Sequence, residues 1–151
     1  MYSAVLLAHS WLRWVVLVLA ILAILRALRG GAWPWSRDDD RAGLLFTAAL
    51  DLQFLLGLLL YFVLSPITRA ALSDFGSAMQ VSATRFWAVE HVFGMLVALV
   101  LAHVGRARVK SIQDARRKRR VAAIFYILAL VAMVAAIPWP GMPNGRPLLR
   151  W

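Results

Sequence analysis

Four long apolar segments constrain this chain more strongly than any other feature of its sequence. The shortest holds about 17 residues, close to the minimum for an α-helix that crosses a hydrocarbon core of roughly 30 Å. Of the 151 residues, 62% are apolar and 16% are charged, whereas soluble domains are nearer half and a quarter. We therefore predict an all-α integral membrane protein, an up-down four-helix bundle in one domain. The predicted spans are residues 4–28, 44–64, 86–104 and 121–137.

Composition also excludes several classes of protein. The high apolar content excludes a disordered chain and argues against a soluble enzyme. The chain has no cysteine, which excludes disulfide scaffolds, cysteine-ligated metal centres and thiol catalysis. The first segment follows no basic region and is longer than the apolar part of a signal peptide, so we predict that it is retained as a span.

Basic residues flank the spans unequally and predict the orientation of the chain. Of the 17 Lys and Arg residues, 12 lie between spans one and two or between spans three and four, when Arg26 at the end of span one is included. Because cytoplasmic loops carry an excess of these residues, both termini are predicted to lie outside. The same reasoning assigns the net charge of +10 to topology rather than to nucleic-acid binding. The tail with Leu148, Leu149 and Trp151 is predicted to fold back onto the outer interface.

Polar side chains within spans are costly and usually face the bundle interior, so they are the first candidates for function. His9 and His91 each lie about five residues from the outer end of their span. Spans one and three run in the same direction and are diagonal partners in such a bundle, so the two imidazoles are predicted to face each other. Two facing histidines are a ligand set for haem iron. The candidates are His9, Arg13, Asp51, Gln53, Tyr61, Glu90, His91 and His103.

Small residues accompany the two histidines along the predicted helix faces. On span two, Gln53, Gly57 and Tyr61 recur at every fourth position, and on span three Gly94 lies beside the face of His91. Such faces leave space for a porphyrin, so Gly57 and Gly94 are predicted to line the cofactor site. The alternative is that small residues only let the helices pack closely, without a cofactor.

Two charged residues are predicted near the same site. Glu90 is a candidate to accept the Nδ1 proton of a ligand histidine, the usual way in which such a ligand is oriented. Arg13 is a candidate to pair with Glu90 or with a haem propionate. A plain Arg13–Glu90 ion pair that ties helix one to helix three is the alternative.

The remaining polar residues are predicted to lie apart from this site. His103 follows His91 by 12 residues and lies much deeper along the helix. It is predicted to bond a backbone carbonyl or a loop residue, with a quinone or proton-relay role as the alternative. Asp51 is predicted to bond Thr47 or to reach toward Arg26, with a proton path as the minority interpretation.

Four strings carry a resemblance to a known family. They are His9–Trp14 (HSWLRW), Leu55–Tyr61 (LLGLLLY), Arg85–His91 (RFWAVEH) and Ile137–Pro140 (IPWP). The chain resembles, over nearly its whole length, a family of small four-span bacterial membrane proteins often labelled cytochrome b. The resemblance implies haem and electron transfer. The chain is loosely similar to the dihaem four-helix b-type cytochromes, but those use four histidines and this chain has three.

These observations lead to one functional hypothesis with two alternatives. The chain is predicted to be a small b-type cytochrome or haem-binding subunit of the bacterial inner membrane, with one haem b ligated by His9 and His91. It would carry single electrons between quinol and a partner redox centre, as an electron-transfer protein rather than a stand-alone enzyme. One alternative is a haem-free accessory subunit of a larger respiratory or photosynthetic complex. The other is a small transporter or metal-handling protein that uses His9, His91 and Glu90.

Overall fold

The computed structural model describes residues 1–29 and 34–149. Within these residues the chain is all-helical and contains no β-strand. The helices are α1 (Tyr2–Leu28), α2 (Arg37–Leu64), α3 (Pro66–Ser73), α4 (Phe75–Gln80), α5 (Ser82–Ser111) and α6 (Ala115–Ala136). Helices α2 and α5 each include one π-helical turn, at Leu60–Leu64 and at Phe86–Glu90.

Four of these helices, α1, α2, α5 and α6, are long and apolar enough to cross a membrane. They coincide with the four predicted segments, so the prediction of an all-α fold with four helices of membrane-spanning length and hydropathy is confirmed. Each of the four helices extends beyond its predicted span, and at the basic end charged residues continue α2, α5 and α6 past the apolar segment. α2, for example, begins at Arg37 and α5 ends at Ser111. Large apolar side chains cover the outer surface, as a lipid environment requires.

The long helices form a bundle in which each one packs against two neighbours. α1 packs against α2 and α6, and α5 packs against the same two helices. α1 and α5 are therefore diagonal partners, as predicted for spans one and three. Alanines such as Ala20, Ala98 and Ala122 have no exposed surface, and small residues of this kind let membrane helices approach closely.

The two ends of the bundle differ in the segments that they carry. The end at which α1 and α5 finish, with most of the basic residues, is called the basic end. There α2 begins with a capping box, in which Ser36 and Asp39 bond each other's backbone N–H groups, and Asp39 also pairs with Arg26 at 2.9 Å. Arg119 is buried at this end and donates to the carbonyls of Arg29 and Pro34. These bonds anchor the first turn of α6 against the end of α1.

The terminal end carries the N-terminus, the tail as far as residue 149, and the connector of α3 and α4. The sequence analysis did not predict this helical connector. Ser65 and Asp74 cap its two helices, and Pro66 occupies the first position of α3, where its missing N–H is not needed. The Thr68 hydroxyl donates to the Tyr61 carbonyl at 2.7 Å, which fixes α3 beside the π-turn of α2.

The tail after α6 folds back onto α1. The carbonyl oxygen of Leu148 accepts hydrogen bonds from the Arg13 guanidinium at 2.7 Å and from the Trp14 indole at 3.1 Å. The predicted return of the tail is confirmed as a contact of Leu148 with α1, and its place at the outer interface stays a prediction. Trp151 lies outside the described residues.

Candidate functional site

A cavity of about 120 Å³ lies in the terminal end of the bundle. Its lining is mostly apolar, with polar side chains from α1, α2 and α5 and from the tail. A few convergent polar groups in an apolar cavity are the usual appearance of a ligand site. Its polar and small lining residues include His9, Arg13, Gln53, Gly57, His91 and Arg146.

The structure brings the two predicted histidines together across this cavity. The ring centroids of His9 and His91 are 6.5 Å apart, and the ring planes meet at 73°. Two imidazoles on opposite sides of one metal ion, each about 2.0 Å from it, have centroids about 6 Å apart. The observed separation therefore suits a shared metal ion.

The imidazole of His91 is held in a single orientation. Its Nδ1–H donates to the carbonyl oxygen of Ala136 at 2.7 Å, so the neutral ring carries its lone pair on Nε2. Metal-ligating histidines are typically oriented by a hydrogen bond of this kind from the other ring nitrogen. This carbonyl belongs to the last residue of α6, so the end of α6 forms part of the site.

Gly94 explains why α6 lies close enough to supply this carbonyl. A Cβ atom at Gly94 would stand 2.6 Å from the Cβ of Ala136, so only glycine allows the observed approach of α5 and α6. Gly94 does not line the cavity. It had been predicted as a cavity residue, and its observed contact is helix packing beside the site.

His9 is held by residues of α2. The Gln53 amide nitrogen donates to the His9 carbonyl at 3.0 Å and lies 3.3 Å from the ring Nε2. A Cβ at Gly57 would stand 3.3 Å from His9 Cε1, so the glycine provides the space that this ring occupies. Gln53 and Gly57 are two of the residues that recur at every fourth position of span two.

Two buried polar atoms at this site have no hydrogen-bond partner within the described residues. They are Nδ1 of His9 and Oε1 of Gln53. Buried polar atoms are nearly always paired, and each exception requires an explanation. A ligand in the cavity would supply the missing partner.

The predicted partners of Glu90 are wrong. Its carboxylate accepts from Arg85 Nε at 2.7 Å, and the Nδ1 proton of His91 goes to a backbone carbonyl instead. Glu90 is half exposed and does not line the cavity. The Arg13–Glu90 ion pair is not formed either. Arg85 lies five residues before Glu90 on the same helix, and the π-helical turn between them brings the two side chains together.

The cavity lining includes two arginines. Arg13 was predicted near the site, whereas Arg146 of the tail was not. The Arg146 guanidinium lies 5.1 Å from the centroid of the Trp87 ring, a cation–π contact. Its backbone N–H donates to the Pro138 carbonyl at 3.0 Å, so the fold of the tail positions it. The proline-rich tail gave no periodic signal from which this placement could be inferred.

Both π-turns of the bundle lie next to the cavity. The Tyr61 hydroxyl, in the turn at Leu60–Leu64, donates to the carbonyl of Ala88 in the turn at Phe86–Glu90, at 2.7 Å. Single π-turns within α-helices are frequent at functional sites. Here the bond between the two π-turns joins α2 to α5 beside the cavity.

Asp51 and His103 form a pair that the sequence analysis missed. The Oδ1 of Asp51 lies 2.7 Å from His103 Nε2. The predicted partners are therefore wrong for both residues. Thr47 instead donates its hydroxyl to backbone carbonyls of its own helix, and Arg26 pairs with Asp39. The two side chains come from α2 and α5, so only the tertiary arrangement reveals the pair.

A second, smaller space of about 40 Å³ adjoins the cavity. It shares His9, Gln53, Gly57 and His91 with the cavity and is further lined by α2 and α5 side chains such as Phe54. We call it the crevice. Among the described residues, no three His, Asp or Glu side chains converge on a metal position. The residues that come together are thus a pair of histidines.

Comparison with known proteins gives no further assignment. No protein family, curated protein or solved structure matches this chain.

Proposed function

We propose that this chain is a small b-type cytochrome that binds one haem b between His9 and His91. The observation that carries the proposal is the 6.5 Å separation of the two ring centroids across the cavity. The fixed His91 tautomer and the unpartnered polar atoms beside His9 support the same ligand. The resemblance of the sequence to proteins labelled cytochrome b agrees with it.

The lining residues offer the ligands and charges that a haem needs, but some of them must move to make room for it. The cavity of about 120 Å³ is smaller than a typical ligand pocket, which begins near roughly 300 Å³. The additional space lies in the crevice, whose lining includes the flexible side chains of Leu58 and Met95. Methionine adapts readily to new shapes because it is unbranched. Binding therefore involves displacement of these side chains from between α2 and α5.

Each residue has a definite task in this proposal. His91, fixed by the Ala136 carbonyl, offers Nε2 as one ligand, and His9 offers a ring nitrogen from the opposite side. Arg13 and Arg146 supply positive charge in the cavity lining, where the carboxylates of a haem would be neutralised. A bound haem would supply one-electron transfer at its iron. The protein contributes orientation, exclusion of water and the local charge that sets the potential.

The electron partners and the location belong to the same proposal. We place the protein in the bacterial inner membrane with both termini outside, from the excess of basic residues at the basic end. It would carry electrons between quinol and another membrane redox subunit or a second copy of the chain. Reporter fusions at both termini and beside Arg117 test the orientation. A cytoplasmic N-terminus would contradict it.

Visible spectroscopy of histidine variants tests the haem assignment. Both His9→Ala and His91→Ala should abolish the low-spin reduced-minus-oxidised spectrum of the purified protein. His103→Ala is the matched control, because that imidazole lies outside the cavity lining, and it should retain the spectrum. Full haem retention in both of the first two variants would refute the assignment.

A haem-free accessory subunit is the second candidate. It is favoured by the limited volume of the cavity and by the close packing of alanines elsewhere in the bundle. In that case the histidines would be packing residues, and the protein would attach to a larger complex through its apolar surface. Protein that is stable and colourless after expression in haem-replete cells would support this candidate over the first.

A further inference from the structure

The seam between α2 and α5 carries a polar pair on the outside of the bundle. The side chains of Asp51 and His103 are 44% and 48% exposed, although both lie in helices long enough to span a membrane. Exposed apolar side chains such as Leu52, Leu55 and Val100 surround them. This surface therefore faces lipid, where polar groups are costly and usually have a function.

The same seam leads toward the histidine cavity. Phe54 and Leu58 follow Asp51 by three and seven residues, so they share its helix face. Met95 and Val92 precede His103 by eight and eleven residues and share its face on α5. These four apolar residues line the crevice, which reaches His9 and His91. Of the neighbouring long helices, α2 and α5 also pack against each other least extensively.

We propose that the seam binds a quinone from the lipid phase, with the headgroup at the Asp51–His103 pair. A ligand that arrives from lipid must be apolar, yet it must hydrogen-bond to this pair. A quinone headgroup, a flat ring with two oxygens, meets both conditions. The use of the quinone as an electron partner rests on the proposed function, whereas its binding does not.

The chemistry of the pair suits both redox forms of such a ligand. When Nε2–H of His103 donates to the Asp51 carboxylate, the neutral ring keeps a lone pair on Nδ1, which can accept from the hydroxyl of a quinol. A protonated ring has a donor on each nitrogen, so it can donate to the Asp51 carboxylate and from Nδ1 to a quinone carbonyl. Within the described residues, Asp51 is the hydrogen-bond partner of this imidazole.

The test is equilibrium binding of a decyl-tailed benzoquinone to the purified chain in lipid nanodiscs. Wild type should bind saturably, and His103→Ala should weaken binding about tenfold, the effect of losing one strong hydrogen bond. Asp51→Asn keeps the shape of the side chain and removes its charge, so it should also weaken quinone binding. This variant replaces His103→Ala in the test if His103→Ala cannot be purified. Val18→Ala, a lipid-facing change on α1, is the matched control.

The outcomes separate this proposal from the haem assignment. The same titration in His9→Ala should give the wild-type affinity, because the headgroup contacts lie outside the histidine cavity. Saturable binding by a colourless protein would support the quinone site while refuting the haem. Absence of saturable binding, or equal affinity in wild type, His103→Ala and Asp51→Asn, would overturn the quinone site. A change of oligomeric state in these variants with unchanged quinone affinity would assign the seam to a second copy and also overturn it.

Discussion

The basic end and the terminal end of the bundle use the same four helices in different ways. At the basic end, Phe46 and Tyr126 meet edge to face at 5.5 Å, and Gly43 and Gly105 let their helices contact the Tyr126 ring. At the terminal end the same helices separate around a cavity, contain π-turns and leave buried polar atoms unpaired. One end is packed for stability, whereas the other accepts packing defects at the proposed ligand site.

Truncation of core side chains should show the largest difference between the ends. Phe46 is fully buried, so Phe46→Ala should cost about 3–5 kcal/mol of unfolding free energy. Met95 is only half buried and borders existing empty space, so Met95→Ala should cost less than about 2 kcal/mol. Equilibrium unfolding of both variants in detergent measures the difference. Equal losses would show that the two ends are packed alike.

Glycine substitutions should sharpen the same contrast. A Cβ at Gly105 would collide with Phe125, so Gly105→Ala should cost about 1–3 kcal/mol of stability through overpacking. At Gly57 the new methyl group would meet only the edge of the His9 ring, at 3.3 Å from Cε1. Gly57→Ala should therefore cost less than about 1 kcal/mol but reduce haem content. Unfolding curves and haem assays on both variants test this, and a larger stability loss at Gly57 would contradict it.

The capping box at the start of α2 should have a smaller effect. Ser36→Ala removes one side of the reciprocal bond with Asp39 and should cost about 1 kcal/mol. Ser3→Ala, an exposed serine near the N-terminus, is the control and should change stability by less than about 0.5 kcal/mol. Because this box lies at the basic end, the haem content of Ser36→Ala should match that of wild type. A selective loss of haem would mean that the two ends are coupled.

The smallest expected effect is a pH dependence in the connector. Hydrogen bonds from the side chain and backbone of Ser77 hold the pKa of Asp74 below its ordinary value of 3.8. Because the folded-state pKa is lowered, the stabilisation by this cap is complete above the ordinary value and is lost as the pH falls through the lowered one. Hydrogen exchange of the Ser77 amide should accelerate over that range relative to other connector amides. Asp74→Asn should remove the pH dependence.

The sequence predicted the four long helices, their diagonal arrangement and the meeting of His9 with His91. These follow from segment length and from the depth of polar residues in helices of known direction. The sequence did not predict the Asp51–His103 pair, because the rotation of α2 against α5 depends on side-chain packing. The Glu90 prediction failed because the chain forms a π-turn that brings Arg85 to Glu90. Arg146 was missed because the tail has no regular period.

The haem content of the purified wild-type chain tests the central claim most directly. The protein is produced in haem-replete cells, and haem b and protein are quantified in the same sample. Ligation by the single pair His9 and His91 predicts about one haem b per chain. A folded, stable protein that carries no haem would contradict the claim that the terminal end is a cofactor site.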